Sequence, residues 1–155
     1  MARGRLKPEF LERAESFSDR CVAVAEQLAA DGRFLRIVEQ LAAAGSSVGA
    51  NLAEADEAMS TKDFRKCLAI ATKELAETRF WLRLCIRRKW VPEGRLSSLL
   101  EELTEIKTIV GSILKGTQWE STKKPARSFT GRPIRETQSN ARPAMESRRT
   151  SDLAI

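Results

Sequence analysis

The chain has 155 residues, the length of one domain, and its 42% apolar and 31% charged residues suit a folded soluble protein. It contains no histidine, which excludes Ser-His and Cys-His nucleophile pairs and the histidine-containing zinc and di-iron sites. Its net charge of +6 permits binding to a polyanion but does not require it.

Cysteine usage and hydropathy together favour a cytoplasmic protein. Cys21, Cys67 and Cys85 form neither a CxxC motif nor an even-numbered disulfide framework, so we expect reduced thiols. No apolar run reaches the roughly 18 residues that a transmembrane helix needs, and the basic residues 1–5 lack the apolar segment of a signal peptide. We therefore expect no membrane anchor, no metal and no cofactor, and a function other than catalysis.

Four segments of the chain share one apolar periodicity, in which apolar residues recur at alternating steps of three and four. This spacing predicts amphipathic helices that pack together, because it places the apolar side chains on one stripe of each helix. The predicted helices cover residues 8–30, 33–57, 61–90 and 93–115. Because every connection is short, we predict antiparallel neighbours and an all-α, up-down-up-down four-helix bundle.

Residues typical of helix ends stand at the predicted boundaries. Pro8 suits a first helical turn, where its missing N–H costs nothing. Gly32 can end the first helix in a left-handed conformation. Ser60 and Asp63 have the spacing of a capping box at the start of the third helix. Gly116 is expected to end the fourth helix.

The second predicted helix contains two glycines, Gly45 and Gly49, each of which costs about 1 kcal/mol relative to alanine. Close approach of a neighbouring helix would offset that cost, and we favour this packing role over a ligand site. Pairing the second and third helices about their loop predicts that Gly45 lies near Ala71 and that Phe34 lies near Leu82.

Polar residues flank the apolar stripes of the second and third helices at Asn51, Glu54, Glu74 and Glu77. Side chains at such positions either lie at the solvent rim or pair across an interface, and spacing alone favours the rim. Two carboxylates could act as acid and base, but no other feature indicates a catalytic cleft.

Three runs in this part of the chain form a family pattern: GSSVGANLAEA at residues 45–55, STKDF at residues 60–64 and LAIATKELAETRFWL at residues 68–82. They resemble the four helix bundle protein family, also called 23S rRNA-intervening-sequence proteins, which includes the accessory protein of diversity-generating retroelements. The resemblance covers about residues 8–116. The chain departs from the family pattern just before residues 45–55, where alanines replace a basic residue that is often found in the family.

The resemblance implies a small cytoplasmic bundle that assembles into a ring-shaped homopentamer without enzymatic activity. It also implies, for some members, binding to RNA or to a nucleoprotein such as one that contains a reverse transcriptase. The residues at family-pattern positions, for which the resemblance implies structural roles, are Asn51, Glu54, Asp63, Glu74 and Trp81.

The end of the third helix is strongly basic and has no acidic residue within its cationic run, which comprises Arg79, Arg83, Arg87, Arg88 and Lys89. Cations at a helix C-terminus are stabilised by the helix dipole, and arginine stems can cover apolar surface. Five cations exceed what such a role requires, so contact with a phosphate backbone is the second interpretation. A third is that the protein is an adaptor for a protein partner, which would dock on Trp81 or Trp90.

Beyond the periodic region, residues 117–155 are rich in Ser, Thr, Arg and Pro and carry 8 basic and 4 acidic side chains. We predict a disordered basic tail there, because such a segment buries too little apolar surface to offset chain entropy. The bundle itself is assigned to residues 1–116. Apolar residues outside the stripes, among them Leu100 and Ile109, predict a second buried face and therefore an oligomer.

Overall fold

The computed structural model describes residues 5–123 and the side chains of residues 5–117. This part of the chain forms four helices and no strand; the helices are α1 (Pro8–Ala30), α2 (Leu35–Asp56), α3 (Thr61–Arg87) and α4 (Glu93–Lys123). α2 packs against α1 and α3, and α4 packs against α3 and α1, so the helices follow one another around the bundle. The predicted four-helix bundle is confirmed.

Three of the predicted helix boundaries have the expected chemistry. Pro8 is the first residue of α1. Gly32 has a φ of 70°, and its N–H donates to Ala29 O at 3.0 Å, which closes the C-terminus of α1. Ser60 is the N-cap of α3, and its Oγ accepts a hydrogen bond from the Asp63 N–H at 3.0 Å.

The end of α4 differs from the prediction, because the helix continues through Gly116 to Lys123. Gly116 does not adopt the left-handed conformation that would end a helix there. A glycine without that conformation only weakens a helix, by about 1 kcal/mol, and does not end it. Residues 124–155, which include most of the predicted disordered tail, lie outside the described residues, so the tail stays a prediction.

The core follows the predicted stripes. Its largest fully buried side chains come from all four helices and include Phe17, Leu28, Leu41, Leu52, Leu68, Leu75, Leu82, Leu103 and Ile106. Phe34 does not join them, because it is the N-cap of α2 and 69% of its surface is exposed. In the described part of the chain, no helix has an apolar stretch long enough to cross a bilayer.

Helices α1 and α2 approach each other closely at two glycines of α2. A Cβ built on Gly45 would overlap Cys21 Cβ, and one built on Gly49 would lie 2.7 Å from Ser18 Oγ. The glycines therefore have the predicted packing role, and a side chain added at either one would meet α1. That Gly45 also lies near Ala71 on α3 stays a prediction. Ser18 Oγ also donates to Gly45 O at 2.8 Å and accepts from Gly49 N–H at 3.0 Å.

Polar contacts connect α1 to α4. The Arg13 guanidinium pairs with Glu102, including an Nη2–Oε2 hydrogen bond of 2.9 Å, and also with Glu105. This pairing holds the pKa of the Glu102 carboxyl below its ordinary value, against the opposing effect of partial burial. Further along the same helices, Arg20 Nη2 donates to Ser98 Oγ at 2.9 Å. These contacts fix the position of α4 beside α1.

Candidate nucleic-acid interface

A groove of about 930 Å³ runs between α3 and α4. Arg79, Arg83 and Arg87 line it together, because residues four apart on a helix lie on one side. Apolar side chains that include Phe80 and Leu84 also line the groove. The structure therefore places three of the five predicted binding residues on one continuous surface.

These three arginines differ in how firmly they are held. Arg79 is half-buried, and its Nη2 donates to Thr104 Oγ1 on α4 at 2.8 Å, so it joins the two helices. Arg83 and Arg87 are exposed and make no hydrogen bond or ion pair within residues 5–117. Glu93 is the acidic residue in the groove lining. Arg83 and Arg87 are thus available to an anionic ligand.

The other two predicted binding residues, Arg88 and Lys89, follow the end of α3 and do not line the groove. Trp90 N–H donates to Cys85 O at 3.0 Å and Lys89 N–H to Ile86 O at 2.8 Å, the pair of bonds that defines a Schellman motif. Lys89 has a φ of 58° there, a left-handed conformation that glycine adopts more readily.

Sequence reasoning missed a cluster of aromatic and cationic side chains at this end of the bundle. The Arg33 and Arg88 guanidinium carbons lie 5.7 Å and 6.0 Å from the centre of the Trp90 ring. Phe34 lies 6.3 Å from the same ring, centre to centre. The up-down-up-down order was the available signal, because it places the α1–α2 and α3–α4 connections at one end of the bundle.

The family-pattern residues make mostly local contacts on α2 and α3. Asn51 Nδ2 donates to Ser47 O at 2.8 Å, and Trp81 Nε1 donates to a carboxylate oxygen of Glu77 at 3.1 Å. Burial, and secondarily the Glu77 charge, raises the pKa of the half-buried Glu74 carboxyl.

The other two family-pattern residues, Glu54 and Asp63, lie on the same two helices. Glu54 is exposed on α2, with its Oε2 4.0 Å from Cys67 Sγ. Asp63 lies in the first turn of α3, where its N–H donates to Oγ of the N-cap Ser60. The family-pattern residues therefore do not converge on one pocket.

The cysteine and carboxylate side chains of the described residues bear on metal binding and nucleophilic chemistry. No group of three or more cysteine, aspartate or glutamate side chains there could hold a metal ion. Burial raises the pKa of the Cys21 thiol to about 12, so at neutral pH it is protonated and a poor nucleophile.

Comparison with known proteins gives a family and a related structure. A family model described as 23S rRNA-intervening sequence protein matches residues 7–112. A crystal structure of a protein with unknown function, from the S23 ribosomal protein family of Bacteroides thetaiotaomicron VPI-5482, is 33% identical to this chain with a TM-score of 0.66. The match covers 68% of this chain and 98% of that one. No curated protein matches the chain.

Proposed function

Because the chain belongs to the 23S rRNA-intervening sequence protein family, we propose that it is a non-enzymatic, cytoplasmic, homo-oligomeric scaffold that binds RNA or a nucleoprotein. A reverse transcriptase nucleoprotein is one such partner that the family resemblance implies. The observation that carries the proposal is that Arg83 and Arg87, in the groove between α3 and α4, are exposed and unpaired within residues 5–117.

The three arginines that line the groove, Arg79, Arg83 and Arg87, form an arginine row whose geometry suits a phosphate backbone. Successive members are four residues apart on α3, so they project at intervals of about 6 Å along the helix axis. The row contains three cations and the groove lining one carboxylate, Glu93, so the groove carries a net positive charge. Contacts of this kind are independent of sequence and weaken with salt, because binding releases counterions from the nucleic acid.

Exposed apolar surface beside the row supports self-association. Phe80 is 57% exposed and stands edge-on to the half-buried Trp81, with the ring centres 4.9 Å apart. Leu100 and Ile109 on α4 are only half-buried in a single chain. A ring of five chains, the number that the family resemblance implies, would repeat the arginine row and strengthen a weak contact through multivalency.

The same aromatic pair favours a second candidate, an adaptor that binds a protein partner and no nucleic acid. Phe80 and Trp81 offer a large apolar contact at a low entropic cost, as is common at protein interfaces. This candidate predicts a complex that survives both nuclease treatment and high salt.

The test compares two triple glutamine variants that lose the same charge from α3 and its C-cap. The test positions are Arg83, Arg87 and Arg88, and the control positions are the exposed Lys62, Lys66 and Lys73. Binding of a labelled RNA hairpin is measured by fluorescence polarisation between about 50 mM and about 200 mM salt. We expect the test variant to keep its helical circular dichroism and to lose about two to three units of slope in the plot of log affinity against log salt.

The control variant separates a local site from a general effect of charge. The proposal predicts that the control keeps most of the wild-type affinity and slope. It is wrong if wild-type protein does not bind RNA at low salt, or if the two variants lose affinity equally.

A further inference from the structure

The loop-end cluster, defined as Arg33, Phe34, Arg88, Lys89 and Trp90, combines open aromatic surface with cations. Both arginines lie within cation–π range of Trp90, so this half-buried ring already has partners. Phe34 is 69% exposed and is the accessible ring of the cluster. An exposed aromatic face bordered by cations is the arrangement that binds unpaired bases of nucleic acids.

Several features of the loop-end cluster lower the stability of the folded protein. Phe34 leaves most of a large apolar side chain in water. Lys89 holds a left-handed backbone conformation at φ 58°, although glycine would adopt it without strain. The buried Arg33 Nε has no hydrogen-bond partner among the residues that the structure describes. Several energetically unfavourable features at one place in a structure are typical of functional sites.

The cluster is continuous with the arginine row. Arg87 is the last residue of α3 and lines the groove, and Arg88 and Lys89 follow it directly into the cluster. A strand whose phosphates contact Arg87 therefore lies beside the residue that directly precedes Arg88 and Lys89 in the chain. Asp31, the acidic residue of the α1–α2 connection, accepts a hydrogen bond from Gln27 Nε2 at 3.0 Å, so a donor already partly satisfies its carboxylate.

We infer that the loop-end cluster binds an unpaired RNA base by stacking it on Phe34, while Arg88 and Lys89 attract the adjoining phosphates. This inference rests on the proposed RNA-binding function and adds a preference for unpaired over paired nucleotides. A base, and not an apolar side chain of a protein, fits the cluster because the flanking cations complement the phosphates that every nucleotide carries.

The test uses substitutions at an exposed position, where folding is least disturbed. Phe34→Leu removes the aromatic face but keeps an apolar side chain, and Phe34→Trp keeps an aromatic face. Leu35→Ala is the matched control, because Leu35 is 64% exposed and adjoins Phe34 but has no ring. Three labelled RNA hairpins are compared: one blunt, one with an unpaired nucleotide at its end and one with an abasic nucleotide there.

We expect wild-type protein to bind the hairpin with the unpaired base about 5- to 150-fold more tightly than the abasic hairpin, the range measured for stacking on one aromatic side chain. Phe34→Leu should abolish this preference and leave the affinity for the blunt hairpin and its salt dependence unchanged. Phe34→Trp and Leu35→Ala should retain the preference.

Different results identify different errors. If wild-type protein binds all three hairpins equally, or if Phe34→Leu keeps the preference, the stacking site is wrong while the RNA-binding function stands. If Leu35→Ala removes the preference as completely as Phe34→Leu, apolar contact and not stacking is responsible, and the inference is again wrong. If Phe34→Leu changes the oligomeric mass, the cluster is an interface between copies. If wild-type protein binds no hairpin, the proposed function fails, and this inference with it.

Discussion

Replacing Gly45 with alanine should destabilise the bundle, although alanine is the better helix former. The new Cβ would overlap Cys21 Cβ, and Cys21 Cα would lie 3.7 Å away. The obstructing atom adjoins the backbone, so α1 and α2 must move apart. Overpacking of this kind costs up to about 3 kcal/mol. The higher helix propensity of alanine offsets about 1 kcal/mol of this cost, so we expect the free energy of unfolding to fall by about 2 kcal/mol.

Gly111→Ala is the matched control, because it is the same substitution in a helix with nothing within 4 Å of the new Cβ. It should stabilise the protein by up to about 1 kcal/mol, so the two variants should differ in sign. Urea unfolding followed by circular dichroism, at one fixed protein concentration, measures both free energies. If Gly45→Ala is as stable as wild type or more stable, the close approach of α1 and α2 is refuted.

Three further substitutions test the helix ends and the link between α1 and α4. Lys89→Gly should stabilise the protein by about 1 kcal/mol, because it relieves the left-handed backbone at φ 58°. Ser60→Ala should cost about 1 kcal/mol, because the Asp63 N–H loses its acceptor. Glu102→Gln should destabilise the protein by less than about 1 kcal/mol at neutral pH, because its partner Arg13 is partly exposed. Urea unfolding at a series of pH values measures all three.

The direction of the pH dependence follows from the lowered pKa of Glu102. A carboxyl with a lowered pKa in the folded state adds stability above its ordinary pKa of 4.5, and that stability is lost as the pH falls through the folded value. The deficit of Glu102→Gln should therefore shrink below pH 4.5. A deficit that is constant with pH would contradict the ion pair.

The helix-end substitutions have their own controls. Arg88 has a right-handed φ of −75°, so Arg88→Gly should destabilise the protein where Lys89→Gly stabilises it. Ser60→Thr retains an acceptor hydroxyl and should recover most of the loss in Ser60→Ala. Equal effects of glycine at positions 88 and 89 would show that backbone conformation does not decide the outcome.

The helices and most of their ends were predictable because their causes are local. Apolar residues spaced alternately by three and four define the buried stripe of a helix. Gly32 ends α1 and Ser60 begins α3 through bonds to residues close to them in sequence. Gly116 misled the prediction because a glycine ends a helix only when the chain turns left-handed there. That choice depends on the residues around it and not on the glycine alone.

Contacts between helices were less predictable, because several neighbours can satisfy the same sequence. Gly45 and Gly49 indicate that a neighbouring helix packs closely, but the sequence does not tell whether that helix is α1 or α3. The structure shows Cys21 and Ser18 of α1 against them. The four-residue spacing correctly put Arg79, Arg83 and Arg87 on one side of α3. It could not reveal that Arg79 bonds Thr104 on α4.

The measurement that tests the central proposal most directly is the mass of purified protein by light scattering, with and without nuclease treatment. We predict a multimer of about five times the 17.3 kDa chain mass that loses co-purified RNA, but not its protein mass, on nuclease treatment. A 17.3 kDa species at micromolar concentration with no associated nucleic acid would contradict the account of an RNA-binding oligomeric scaffold.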